Sequence, residues 1–285
     1  MNKMKRILAL TLAVLLPVLA SAQAQINTKK VKISDFTEKI TKVVLTESPF
    51  YANALKKEIS SRWRVSPYEF CTIEEFETLK TNPDYYFLIT TKAQFKKENA
   101  PGLQCISLVK GGPKAVKGIE EMLEIVTIPL ASAKHPSGRE ITFLPAILDI
   151  IQNFALDSMD SDLSAYAGIS NYTLNVSGAN DKCIVFSEDD LGETVTDALK
   201  GRFEEKNIVV VSEESADELM DSNAPNTLVS FVVAPSEPVA GSYCYKMLFD
   251  ATTHRLYYYR RHKISKNNGV GFLAEDVKRI LNARR

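Results

Sequence analysis

The feature that most constrains this chain is that it says the same thing twice. The run F-L-P-A-I-L-D-I-I-Q-N from Phe143 to Asn153 returns as F-L-A-E-D-V-K-R-I-L-N from Phe272 to Asn282, an offset of 272 − 143 = 129 residues. Nearer the front, V-K-I-S-D-F-T-E-K-I-T-K-V-V-L-T-E-S from Val31 aligns without gaps to Y-T-L-N-V-S-G-A-N-D-K-C-I-V-F-S-E-D from Tyr172, an offset of 172 − 31 = 141. The reading is an α/β protein of two tandem modules, over residues 29–165 and 168–285, each a mixed sheet with helices and a β-hairpin. The falling offset puts about a dozen extra residues in the first copy, around Gly112 to Met122. Insertions within a matched repeat map to surface loops, which makes this one a place to look for binding. Similar apolar faces left over on each copy predict pseudo-symmetric packing, with the groove between modules as the default site.

Local signals place the elements. In the first copy, Lys42 to Thr46 reads as a strand, and Ser48-Pro49 opens a helix carried by Ala52, Leu55, Ile59 and Trp63. A strand is expected around Arg64 to Pro67, then a helix whose capping box is Thr72-Ile-Glu-Glu75. Strands at Tyr85 to Thr90, Leu103 to Val109 and Glu124 to Leu130 follow, and an apolar helix from Phe143 to Leu156 closes the copy. The second copy repeats this order: strand Cys183 to Ser187, helix Thr194 to Phe203, strand Ile208 to Ser212, and a capping box at Ser215-Ala-Asp-Glu218. Strand Thr227 to Ala234 and a hairpin of Tyr243 to Asp250 with Arg255 to Arg260 then lead to a helix bearing Leu273, Val277, Ile280 and Leu281.

The first 22 residues read as a cleaved signal peptide: Lys3, Lys5 and Arg6 precede an apolar run from Ile7 to Ala20, and Ala20-Ser21-Ala22 fits the cleavage rule. The run is short for a membrane span, and Pro17 interrupts it. An exported chain is expected, periplasmic or secreted, with no transmembrane segment in its mature form. Without the leader, 35 − 3 = 32 basic side chains face 35 acidic ones, a net charge of −3 that argues against nucleic acid as partner. Arg260-Arg261-His262-Lys263 sits in a predicted strand, which spreads its charges over both faces. Cys71, Cys105, Cys183 and Cys244 form no CxxC pair. Two disulfides could form by any of three pairings, although buried free thiols suit a domain of this size better.

The strand-helix-strand-helix-strand order followed by a hairpin with the D-A-T-T-H turn resembles, in topology, the α/β module at the N-terminus of TolB-type periplasmic proteins. The whole chain, with its S-A-Q-A-Q signal end and the run S-P-Y-E-F-C-T-I-E-E-F, resembles exported proteins of the Bacteroidetes type. Those resemblances imply export and a shared module, and no activity.

Candidate chemistry is sparse. Ligands collect beyond the carboxyl ends of parallel strands, which singles out Glu47 in Thr46-Glu47-Ser48, and Glu188 and Asp189 in Ser187-Glu188-Asp189-Asp190. Helix capping accounts for the same residue types, and no Ca²⁺-loop spacing is present. Histidine occurs only at 135, 254 and 262, and no HExxH or GxSxG motif is visible, so no metal, cofactor or catalytic residue is assigned. His135 could pair with Cys105 or Cys71 after folding, which keeps open a hydrolase with a Cys- or His-based site between the modules. Lys110-Gly111-Gly112-Pro113-Lys114 lacks the phosphate-loop spacing and reads as a turn. The polar segment Lys134 to Glu140 contributes His135 and Arg139 as candidates, since function concentrates in such loops. Among the tyrosine triplets, Tyr258 is a candidate for sugar or protein contact, provided that strand alternation exposes it. The expected activity is that of a non-enzymatic binding or assembly protein whose partner is protein or glycan of the cell envelope.

Overall fold

The computed structural model describes residues 33–160 and 175–284; the leader, its cleavage site and the junction between the copies lie outside the described residues. Module 1 contains β1 (Ile40–Val44), α1 (Pro49–Arg62), β2 (Tyr68–Cys71), α2 (Ile73–Leu79), β3 (Tyr85–Ala93), β4 (Leu103–Lys110), β5 (Leu123–Ser132), α3 (Arg139–Thr142) and α4 (Leu144–Asp160). Module 2 contains β6 (Cys183–Ser187), α5 (Asp197–Lys200), β7 (Ile208–Val211), α6 (Glu213–Asp221), β8 (Thr227–Val233), β9 (Tyr243–Asp250), β10 (Leu256–Lys263) and α7 (Ala274–Ala283).

The duplication holds at the level of topology. Sheet 1 has the order β2-β1-β3-β4-β5, and sheet 2 has β7-β6-β8-β9-β10. In each, a central strand pairs in parallel with two neighbours and an antiparallel hairpin extends one edge. Strand pairing refines the alignment: Ile40 beside Tyr85 corresponds to Cys183 beside Thr227, which shifts the front offset from 141 to 143.

Caps and prolines set several boundaries. The Thr72 capping box is formed, with Thr72 Oγ1 accepting from Glu75 N and Glu75 Oε2 accepting from Thr72 N. In module 2 the expected box at Ser215 lies inside α6. The cap is Ser212, whose Oγ accepts from Ser215 N at 3.2 Å. The strand expected at Arg64 to Pro67 begins instead at Tyr68, because Pro67 lacks an N–H while Trp63 Nε1 donates to Ser66 Oγ and ties that segment into a turn. The expected helix at Thr194 to Phe203 shrinks to the single turn of α5, followed by a 3-10 turn.

The two closing helices sit in different environments. Helix α7 has an apolar stripe, Val277, Ile280 and Leu281, that packs with Ile184, Phe186 and Leu248 on one face of its own sheet. Helix α4 is buried on most sides, including Leu144, Ala146, Ile147, Leu148, Ile150 and Ile151. It belongs to a core that runs through both modules and takes in Val43, Tyr86 and Leu88 as well as Val185, Val229 and Phe249. Its all-round apolar sequence reflects that double burial.

The expected pseudo-symmetric packing is not what forms. Strand alternation places Val44, Phe87 and Ile89 on the α2 side of sheet 1, where Phe76, Ala115 and Met122 cover them. The corresponding side of sheet 2, beside α6, carries Val185, Val229 and Phe231, and there module 1 supplies the cover. Different faces of the two copies therefore meet, a heterologous contact rather than a two-fold one. The insert supplies part of the cover of module 1: its two 3-10 turns, Pro113–Lys117 and Ile119–Glu121, bring Ala115 and Met122 over the face that in module 2 is closed by the neighbouring copy.

Candidate functional site at the module boundary

The boundary is built around Arg139. Gly138 takes a left-handed φ of 96° and turns the chain from β5 into α3, which delivers the guanidinium to module 2. Nε donates to Asp217 Oδ1 at 2.8 Å, Nη1 to Asp190 Oδ1 at 3.1 Å and Nη2 to the Ser230 carbonyl at 3.0 Å. Glu213 lies 3.6 Å away. Four residues on, Phe143 stacks on Phe231 with centroids 4.3 Å apart and planes 10° apart. Asp190 is held from both sides: Ser230 Oγ donates to its carboxylate at 2.6 Å, and its carbonyl accepts from Phe272 N at 2.8 Å. Gly271 is required there, because it has a φ of 100° and an added Cβ would lie 2.7 Å from the Asp190 carbonyl. Burial works against ionised Asp190, Asp217 and Glu213 more than Arg139 favours them, so all three carboxyls titrate above their usual range. Three carboxylates around one guanidinium leave a surplus of negative charge at this contact.

A second tie lies at the hairpin turn of module 2. Asp250 Oδ1 accepts from Thr252 N and Thr253 N, at 3.0 and 2.8 Å, so the D-A-T-T-H segment closes as an Asx turn. That turn presents His254 Nδ1 to Asp149 Oδ2 of α4 at 2.6 Å, and Arg62 donates to the same oxygen at 3.0 Å.

Two cavities open along the boundary, of ≈ 850 Å³ and ≈ 320 Å³, and both are lined by Ser132, Pro235 and Ser236. Ser236 N and Oγ both hydrogen-bond Ser132 Oγ, at 3.0 and 3.1 Å, so a polar clasp divides the two. The larger is a groove floored by Ile73, Phe76, Ile89 and Ile119, with Pro101, Pro235 and Val239 at its sides and Lys80, Lys92 and Lys134 among its polar residues. Lys134 bridges to Glu237 across the module boundary at 2.5 Å. Ile73 and Val239 are 41% and 40% exposed, which is unusual for large apolar side chains that share a concave surface.

The candidates from the sequence fall in several places. His135, Arg139 and Asp189 all line the smaller cavity, although Arg139 is buried and held by its partners in module 2 while His135 and Asp189 are exposed. Glu188 is exposed beside Asp189. Glu47 is exposed in the β1–α1 loop, and with the offset of 143 it is the counterpart of Asp190. Tyr258 is not a surface residue: it is 3% exposed, packs against Phe272, and donates to Asp276 Oδ1 at 2.6 Å. Lys246 and Arg260 share that carboxylate at 2.5 and 3.0 Å. Burial opposes the charge on Asp276, but Lys246 and the hydrogen bonds to it prevail and hold its pKa below the usual range. The Lys110 to Lys114 segment is a turn whose amides are used, Gly111 N donating to Tyr85 O and Gly112 N to Lys80 O, while Lys110 pairs with Asp35 at 2.8 Å.

The four cysteines are free thiols. Burial pushes Cys71 up to about 11, Cys105 to about 12 and Cys244 to about 11, and it raises Cys183 as well. Such thiols are poor nucleophiles at neutral pH. Among the described residues no helix is long and apolar enough to cross a membrane, and no group of three or more His, Cys, Asp or Glu side chains could hold a metal ion. Sequence reasoning missed the floor of the larger groove, because Ile73, Ile89 and Ile119 come from a helix, a strand and the insert. It also missed the Ser132–Ser236 clasp, whose only local signal is the turn-rich P-S-E-P run from Pro235 to Pro238. No protein family, curated protein or solved structure matches this chain.

Proposed function

We propose that this chain is an exported, non-enzymatic binding or assembly protein of the cell envelope that takes a protein or glycan ligand in the groove at the module boundary. The observation that carries this reading is the ≈ 850 Å³ groove itself. Both modules line it, its floor is apolar, and its wall contains hydroxyl, lysine and glutamate side chains but no histidine or cysteine. The leader read in the sequence supports export, and the net charge of −3 after its removal favours a partner other than nucleic acid.

The test is a pull-down of tagged mature chain from native periplasm and envelope, comparing the parent with Ile73→Asp. A partner retained by the parent and released by the variant supports binding through the groove. Turnover in a broad hydrolase screen, abolished by one polar substitution in the smaller cavity, would instead favour a hydrolase with a histidine- or cysteine-based site. That alternative rests on His135 in the wall of the smaller cavity, and the raised thiol pKa values weigh against its cysteine form.

A further inference from the structure

The larger groove of module 1 and the seat of Arg139 and Phe143 on module 2 are the same site in two copies. Cap alignment of Thr72 with Ser212 makes Ile73, Phe76, Glu77 and Lys80 the counterparts of Glu213, Ala216, Asp217 and Met220. Strand pairing makes Ile89 the counterpart of Phe231. In module 2 this site is filled from within the chain: Asp217 and Glu213 face Arg139, Phe231 carries the stacked ring of Phe143, and Ala216 and Met220 share a core with it. In module 1 the equivalent helix and strand wall a groove that the insert closes only in part: Ala115 and Met122 pack with Phe76 and Ile89 beneath it, while Gly118 and Ile119 line its opening. Resting on the binding-protein reading above, we infer that module 1 receives a helical segment of a partner polypeptide, anchored by an aromatic side chain, in the manner in which module 2 receives residues 139–143.

The differences between the copies define the partner. Ile73 stands where Glu213 helps hold Arg139, so the seat in module 1 is more apolar and the aromatic anchor carries more of the binding. Glu77 keeps the carboxylate of Asp217, but Lys80, standing where module 2 has Met220, already pairs with it at 2.5 Å, so a cation one helical turn before the aromatic would share Glu77 with Lys80 and add less than Arg139 does in module 2. The groove is also continuous with the interface between the modules, since Ser132, Pro235, Ser236 and Glu237 line it, so a segment seated there would extend a contact the chain already makes. A second copy of the chain cannot offer the same anchor, because Phe143 is fully buried in its own molecule.

The probe is a fluorescein-labelled peptide of residues 136–148 (PSGREITFLPAIL), titrated with full-length mature protein and read by anisotropy. Saturable binding is expected, weakened at least tenfold by Phe143→Ala in the peptide and at least tenfold by Ile73→Asp in the protein; Ile73 is exposed enough for the variant to fold, which circular dichroism checks. A second variant, Ile119→Asp, tests the opposite wall. Absence of saturable binding to millimolar concentration, or binding that neither substitution weakens, overturns the inference. Concentration-dependent self-association abolished by Phe50→Ala also overturns it, because the occupant would then be a second copy using Phe50, which is 71% exposed. An envelope partner that Ile73→Asp releases, with no saturable binding of the peptide, would leave the groove-binding reading standing and overturn the helical-segment assignment alone, whereas a partner that Ile73→Asp fails to release would remove the groove from both.

Discussion

Arg139→Met removes the guanidinium around which three carboxylates of module 2 gather, while it keeps much of the side chain's length. The consequences differ among its partners. Glu213 and Asp217 have side chains 39% and 20% exposed and can rehydrate, whereas the Asp190 side chain is 4% exposed and retains only the Ser230 hydroxyl, 2.6 Å away, to offset its charge. Removing one partner of a buried ion pair costs about 3–5 kcal/mol, most of it the penalty of an uncompensated charge. The lost contacts of the guanidinium with the Phe143 and Phe231 rings, 5.3 and 5.6 Å from their centroids, add about 0.5–1 kcal/mol each, part of which methionine restores. The expected loss of stability in urea unfolding at pH 8 is therefore about 4 kcal/mol. Burial already raises the Asp190 pKa, and without Arg139 nothing cationic opposes that rise. A carboxyl whose folded pKa is raised contributes stability that is present at low pH and is lost as pH rises through that pKa. The cost of Arg139→Met should accordingly shrink between pH 8 and pH 5, and adding Asp190→Asn should recover most of it at pH 8. A cost below about 1 kcal/mol at pH 8 would refute the account, since exposed pairs contribute no more than that. So would a cost that neither acid nor the second substitution relieves.

Glu124 is the second titration to follow: burial raises its carboxyl from 4.5 to about 7, with Thr127 opposing the rise, so its contribution to stability is complete below about pH 4.5 and lost as pH passes 7. Glu124→Gln should therefore stabilise the protein at pH 8 by up to about 3 kcal/mol and change little at pH 4.5; equal effects at both would dismiss the assignment. Because one core runs through both modules, Trp63 fluorescence, which reports on module 1, and far-ultraviolet circular dichroism, which reports on both, should give the same urea midpoint. Midpoints separated by more than about 0.5 M would mean that the modules unfold independently. A thiol reagent at pH 8 should leave Cys71, Cys105 and Cys244 unmodified in native protein and reach them only in denaturant; rapid stoichiometric labelling of any of the three would overturn their assignment as inert buried thiols.

What the sequence determined by itself is what a backbone can arrange within a few residues. The Thr72 capping box needs atoms three residues apart, and the D-A-T-T-H turn closes on its own aspartate; both are formed as the local pattern predicts. The duplication was legible because each copy repeats the same strand and helix periods, and that repetition implied the common sheet order. The Ser212 cap escaped notice because Ser215 offered an equally good pattern three residues later, and only the end of β7 decides between them. Tertiary structure alone decided which sheet face each module leaves uncovered, and therefore that the copies meet through different faces. Arg139 lies 51 residues from Asp190 and 78 from Asp217, and no periodicity links them. Tyr258 obeys strand alternation as expected, but its side of the strand faces α7 and not solvent, because the buried Asp276 carboxylate there draws in the tyrosine hydroxyl together with Lys246 and Arg260. The groove follows the same logic: Ile73, Ile89 and Ile119 are ordinary apolar residues of three separate elements, and they line one groove only because the heterologous packing fills the equivalent site on module 2 and leaves this one partly open.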